Sequence, residues 1–348
     1  MVPVVDLSRR GQRFASAFAK AAERIAASGS FLLGAELSAF ETEFATWLGA
    51  HHCVAVSSGA GALQLALTAA GIGPGDEVVV PAFTAVPTAS AVAAIGAVPR
   101  AADVDRTTGC LTTLGVDEAV TGRTRAVILV HIYGYPAELP ATDLMVIEDA
   151  AQAHGALRDP ARSIASAYSF YPTKNLGGIG DGGAVVTNAA AIAERVRTLR
   201  VHGMTAQYVH EVVSQNFRMS EIEAAWLRLA LPALATDVER RRTIVGRYRK
   251  AAPDLVWQAP HADHAYHLAV FRSADRDRTR AALSAAGVAS AVHYPLAITQ
   301  QPAYRDLDHA PCPQAEAWAA ECVSVPCFPE MTEAEIDRVC TALAGLGR

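Results

Sequence analysis

The chain has 348 residues, 51% hydrophobic and 19% charged, with a net charge of −5 and a pI near 6.1. This is the composition of a globular protein with room for one large domain and a smaller one. No Lys/Arg-rich stripe occurs, which argues against nucleic acid as a partner, and apolar runs such as AVILV (126–130) are far too short to span a bilayer.

The start, MVPVVDLSRRGQRF, lacks the basic lead and apolar core of a secretory signal. The six cysteines form no CxxC and no metal-like spacing. The expectation is a cytoplasmic protein with buried thiols and no metal. Residues 36–48 place Leu37, Phe40, Phe44, Trp47 and Leu48 on one helical face. CVAV (53–56) reads as a buried strand that runs through SSGAG into a helix closed by Gly71. A strand follows at 77–80, a helix at 87–95, and strands at 98–102, 126–130 and 144–148. SAYSF (166–170) and AVVT (184–187) are two more strands, followed by a helix at 189–200. Strands separated by helix-length segments predict an α/β fold with a mostly parallel sheet covered on both faces.

Beyond about residue 215 the pattern changes. Residues 219–250 read as helix interrupted at Pro232, then a strand at 266–272, a helix at 275–286, a strand after Gly287 and a closing helix from Glu333. We place a large domain at 1–240 and a smaller α/β domain at 241–348, with the N-terminal segment packing on the smaller one.

Three stretches carry chemistry. SSGAGAL (57–63) lies between a strand and a helix, where backbone N–H groups either bind a phosphate or are simply capped by Ser57 or Ser58. VIEDAAQAHG (146–155) sets Asp149 and Gln152 one turn apart just past a buried strand, where open α/β sheets bind ligands. SFYPTKNLGG (169–178) sets Lys174 past another strand with no charged neighbour between Ser163 and Asn175. The following GGIGDGG has the spacing of a dinucleotide fingerprint at Gly178, Gly180 and Gly183, but a strand comes after it rather than before. Its glycines are expected to let the loop turn close to Lys174. A Schiff-base lysine, a carboxylate for a pyridine nitrogen and a helix N-terminus for a phosphate together match the needs of pyridoxal phosphate.

Taken in order, SGSFLLGAELSAFETEFATWLGA, SSGAGALQLAL, GIGPGDEVVVPAFT, IEDAAQAHG, SFYPTKNLGGIGDGGAVVTN and NFRMSEIEAA make the chain resemble the DegT/DnrJ/EryC1/StrS sugar aminotransferases. The resemblance covers nearly the whole chain and implies the fold type I architecture of pyridoxal-phosphate transferases. It implies that Lys174 forms the Schiff base, that Asp149 pairs with the pyridine nitrogen and that Gln152 lies by the ring substituents. It assigns the phosphate to Ser58, Gly59, Ala60 and Ser169, with Asn216 reaching it from the other subunit of a homodimer. The implied donor is an amino acid, commonly glutamate. The implied acceptor is a keto sugar on a nucleotide, here a 3-keto-6-deoxyhexose by the Asp181 form of the loop, or else a keto cyclitol. Relatives that dehydrate sugars replace the lysine with histidine, against which Lys174 stands. A non-catalytic regulator of the same fold is the remaining alternative.

Four departures from the family pattern stand out. Ala60 replaces a hydroxyl residue, and Ala85 replaces an aromatic, leaving Phe83 as the aromatic of that run. GYPAELPATDLMVIED is too short for the usual helix, and RDPARSIASAYSF is trimmed. His154, His202, Arg218 and Tyr294 are weighed as substrate contacts against structural roles. His261, His264 and His267 recur at a spacing of three without further ligands, which argues against a metal.

Overall fold

The computed structural model describes residues 1–156 and 162–346. A long helix α1 (Leu7–Ser28) and α2 (Ala35–Leu48) open the chain, followed by β1 (His52–Val56), α3 (Gly59–Ala69), β2 (Glu77–Pro81), α4 (Val86–Ala94) and β3 (Val98–Ala102). Then come α5 (Thr113–Ala119), β4 (Thr124–Val130), β5 (Met145–Asp149), β6 (Ala165–Ser169), β7 (Gly183–Thr187) and α6 (Ala190–Arg200). The seven strands form one sheet in the order β1-β7-β6-β5-β4-β2-β3. β3, β2, β4, β5 and β6 pair in parallel, and β7 runs antiparallel between β6 and β1. All strands but β7 therefore end on the same edge.

Alternation along β1 explains why both faces are covered. Val54 and Val56 join one core with Leu63 and Leu67 of α3 and Val92 of α4. Cys53 and Ala55 face the other, with Phe40 and Phe44 of α2 and Leu227 of α7 (Glu221–Ala230). Between β4 and β5 the chain makes only one short 3-10 turn, Ile132–Gly134, where a crossover helix usually lies. His131 Nε2 meets Glu148 Oε2 at 2.6 Å and Arg162 Nη2 donates to the Ala137 carbonyl at 2.7 Å, so side chains pin the shortened connection. Of the other trimmed stretch, 157–161 lie outside the described residues.

A small hairpin, β8 (Met204–Ala206) and β9 (Val209–His210), precedes α7. Then follow α8 (Leu234–Ala251), β10 (Val256–Trp257), β11 (Ala269–Arg272), α9 (Arg276–Ala285), α10 (Pro313–Glu321), β12 (Cys322–Val325) and α11 (Glu333–Ala344). β10, β11 and β12 form an antiparallel sheet, and a third core joins it to α8, α9 and α11. Val2 enters that core and bridges Val288 in parallel. The helix α8 crosses residue 240: its Val238 belongs to the second core and its Ile244 and Tyr248 to the third. The chain then returns to the large sheet, where Trp318 of α10 stacks on Phe83 with centroids 5.6 Å apart.

Two expected strands are corrected. Residues 266–268 are not extended pairs, because Tyr266 has a φ of +42° and its ring stacks on His264. Only 269–272 enter the sheet. Between Gly287 and α10 there is no strand but isolated bridges, Val2 to Val288 and Ala291 to Ser324, since the chain turns away after single rungs.

Candidate active site

The common strand edge collects the chemistry. A cavity of about 380 Å³ is lined there by Ser58, Gly59 and Ala60 after β1, Thr84 and Ala85 after β2, and Val130 at the end of β4. Asp149, Ala151 and Gln152 after β5, then Ser169 and Lys174 after β6, complete the far side. This is where the carboxyl ends of parallel strands leave a crevice.

Lys174 is half-buried on the cavity wall, and desolvation there pushes its ammonium down to about 8 against the pull of Asp149. Asp149 is buried, which raises its carboxyl above the ordinary range. Opposing this, Thr88 donates to Oδ2 at 2.8 Å, the Ala151 N–H to Oδ1 at 3.2 Å, and Lys174 adds its charge. Thr84 and Thr88 hydroxyls lie 3.0 Å apart, so a two-hydroxyl chain supports one carboxylate oxygen. Sequence reasoning missed both threonines, although their spacing of four beside a helix start is visible.

On the other side of the cavity, Ser58 caps α3 by accepting from Gly61 N–H at 3.0 Å. The N–H groups of Gly59 and Ala60 have no partner within the helix, as at any helix start. A Cβ on Gly59 would stand 2.6 Å from the Ser169 Cβ, so only glycine leaves this seam between α3 and β6.

Comparison with known proteins now gives this arrangement a context. Residues 12–344 match the DegT/DnrJ/EryC1/StrS aminotransferase family. The chain is 42% identical to the erythromycin biosynthesis sensory transduction protein EryC1 of Saccharopolyspora erythraea, over 98% of each chain. It is 40% identical to dTDP-3-amino-3,4,6-trideoxy-alpha-D-glucose transaminase of Streptomyces venezuelae, over 98% of this chain and 95% of that one. The crystal structure of S. venezuelae DesV in complex with a ketimine intermediate superposes with a TM-score of 0.95 at 39% identity, covering 100% of this chain and 98% of that one.

The chain belongs to the DegT/DnrJ/EryC1/StrS aminotransferase family.

Membership makes it a pyridoxal-phosphate-dependent aminotransferase. Against the family pattern, Gln152 lines the cavity with its amide already engaged: Oε1 accepts from the Tyr133 N–H and Nε2 donates to Tyr294 Oη at 2.9 Å. Tyr294, weighed from sequence as a pocket residue, does line the cavity. Phe83 does not. Its ring is wholly buried in the first core, packed against Trp318 and Tyr133 just past the end of β2. Asn216 is exposed and outside this cavity, where its Oδ1 accepts from Arg218 N and Nε.

The remaining candidates separate from the site. His154 is wholly buried among Phe44, Tyr168 and Phe170, and burial drives its imidazolium down to about 3. His202 sits at a φ of +64° and its carbonyl contacts His210 Nδ1. Among the described residues no group of three or more His, Cys, Asp or Glu could hold a metal ion. The GGIGDGG glycines are needed for close approach, not for turning: none has positive φ. A Cβ at Gly178 would overlap the Glu223 carboxylate, and one at Gly183 the Ser58 carbonyl.

Proposed function

We propose that this aminotransferase moves an amino group from an amino-acid donor to C3 of a nucleotide-linked keto-6-deoxy sugar. The observation that carries the reading is a half-buried lysine and a buried aspartate on one wall of a cavity whose other wall is a helix N-terminus. The C3 position is supported by the S. venezuelae relative, whose name places the amino group there, and by Asp181 in the cavity wall.

The residues fit the cofactor. Lys174 would hold its aldehyde carbon, Asp149 its ring nitrogen, and the Gly59 and Ala60 N–H groups with the Ser58 and Ser169 hydroxyls its phosphate. When bound, pyridoxal phosphate supplies a carbonyl that condenses with amines and a ring that accepts the electrons left on carbon. The protein supplies proton control. Lys174, neutral in a useful fraction at neutral pH, would accept at Nζ the proton from the donor's α-carbon and deliver that same proton to the carbon it had held. Asp149, buried and held at both oxygens by Thr88 and Ala151, would keep the ring nitrogen protonated. Gln152, fixed by Tyr133 and Tyr294, cannot swing into the ring's space.

We further propose a homodimer in which Asn216 completes the partner's phosphate site. Its exposed position supports this, as do the exposed apolar residues Phe31, Leu32 and Leu33 and the β8–β9 arm with Tyr208 and Val213. Among the described residues no helix is long and apolar enough to cross a membrane; the six free thiols support a reducing, cytoplasmic setting.

The test is a visible spectrum of the purified protein with pyridoxal phosphate, before and after an amino donor, beside Lys174→Ala. A band that bleaches with glutamate, returns with a nucleotide-linked 3-keto sugar and is missing in the variant supports the reading. Return only with a keto cyclitol would change the acceptor. A band that ignores every donor would make the protein a cofactor-binding regulator instead.

A further inference from the structure

A second cavity, of about 300 Å³, opens beside the first and shares Tyr171, Lys174 and Tyr294 with it. Its character is different. Among the described residues the first cavity carries two acids, Asp149 and Asp181, whereas no acid lines the second. Its polar lining includes Arg241, His267 and His293.

Arg241 is 1% exposed, and no carboxylate pairs with it among the described residues. Its Nη1 donates to the carbonyls of Tyr266, His267 and Cys327, and its Nε has no partner there. His267 is 7% exposed, and its Nδ1 has no partner among the described residues. His293 Nδ1 lies 2.9 Å from Ser324 Oγ, and in the tautomer in which it accepts from that hydroxyl its Nε2–H is left to donate to a ligand. Burial, and then the charge of Lys174, hold both imidazoles below their ordinary basicity. An unpaired buried guanidinium beside underused imidazoles is costly without a counter-charge. A carboxylate entering here would supply one and would receive charge-assisted hydrogen bonds.

We propose that this second cavity is the carboxylate subsite of the amino donor, with His267 and His293 as its hydrogen-bonding contacts and Arg241 as its fixed positive charge. The inference rests on the aminotransferase reading above. Size favours the donor over the acceptor. The volume is at the low end for ligand pockets and admits an amino acid, not a nucleotide sugar. Position favours it too, since a donor amine reacting at Lys174 must hold its carboxylate close by. The larger cavity then remains for the cofactor.

The probe is glutarate, which has two carboxylates and no amine and so cannot react. It is titrated into the cofactor-loaded protein by calorimetry, and the donor and acceptor half-reactions are followed by absorbance. Wild type is expected to bind glutarate in competition with the donor. His267→Leu is expected to bind it about tenfold to a hundredfold more weakly, the worth of one charge-assisted hydrogen bond. His267→Gln, which keeps an N–H donor, should recover most of that loss, and His293→Phe should repeat the weakening at a second position. The acceptor half-reaction and the visible band should not move in any of them. Equal binding by wild type and both apolar variants, or no glutarate binding at all, overturns the subsite. So does displacement of glutarate by thymidine diphosphate, which would make the cavity a nucleotide seat. Failure of the underlying reading looks different: wild type would then transfer no amino group from any amino acid, whatever glutarate does.

Discussion

Lys174 shows how a single residue acquires its chemistry from burial. An ordinary lysine, near 10.5, is almost wholly protonated at neutral pH, whereas burial brings this one to about 8. At pH 7.5 that leaves about a quarter of the amines neutral, against about a thousandth for an exposed lysine. Only the neutral amine attacks an aldehyde. The rate at which cofactor-free protein captures pyridoxal phosphate should therefore rise with pH through about 8 and then level off. Stopped-flow absorbance across pH 6.5 to 9.5 measures it, and a rate still climbing tenfold per unit above pH 9 would contradict the burial argument. The lysine itself was legible because it stands alone among apolar and glycine residues. Thr88 was not, because a threonine beside a helix start is unremarkable until the fold puts Asp149 against it.

At the scale of elements, α2 begins without a side-chain cap from its own Gly34. Its start is held instead by Glu221, at the head of α7, whose carboxylate accepts from the N–H groups of Gly34, Glu36 and Leu37 at 2.9, 2.8 and 3.1 Å. A negative charge at a helix N-terminus that also satisfies orphan donors is doubly favourable. Glu221→Ala should cost about 2–3 kcal/mol, read as a lower midpoint in urea, with the visible cofactor band still forming. A shift of less than a few tenths of a kcal/mol would mean that water replaces the cap. Such long-range capping explains part of what the sequence did not reveal. The helix α1 went unread for another reason. Its apolar stripe, Phe14, Phe18, Ala21 and Ile25, is diluted by alanines and charges in the sequence, and the fold shows its use: both Phe rings pack edge-on against Trp226 of α7. Its caps were readable all the same: Asp6 accepts from Ser8 N–H at 3.0 Å, and Gly29 ends the helix with a φ of +66°.

For the whole molecule, the sharpest consequence of the proposed dimer is a shared site. If Lys174 acts in its own subunit and Asn216 in its partner's, Lys174→Ala and Asn216→Ala should each be poorly active alone. Refolding the two together in equal amounts should restore about a quarter of wild-type activity, since half the dimers are mixed and each has one intact site. Sedimentation should show dimers throughout. No recovery on mixing would place Asn216 within its own chain's function or outside the site. The exposed arm residue Val213 gives a further handle on where the two copies meet.

Local chemistry alone determined much of this protein. Alternating helix and strand periods specified a parallel α/β sheet, because a strand buried on both faces and an amphipathic helix leave different marks on a chain. Residues following strands were readable as candidates, since such sheets expose their carboxyl ends. What tertiary structure decided is which of them meet. Phe83 and Asp149 both lie at strand ends, yet one turns into the core against Trp318 and the other lines the cavity. Gly178 is needed because Glu223, far along the chain, occupies the space a side chain would take. Arg241, His267 and His293 come from different elements and form one acid-free wall only when the small sheet packs beside Lys174. Pattern is carried by neighbours in sequence. A site is a convergence of residues distant in sequence, and only folding settles where they converge.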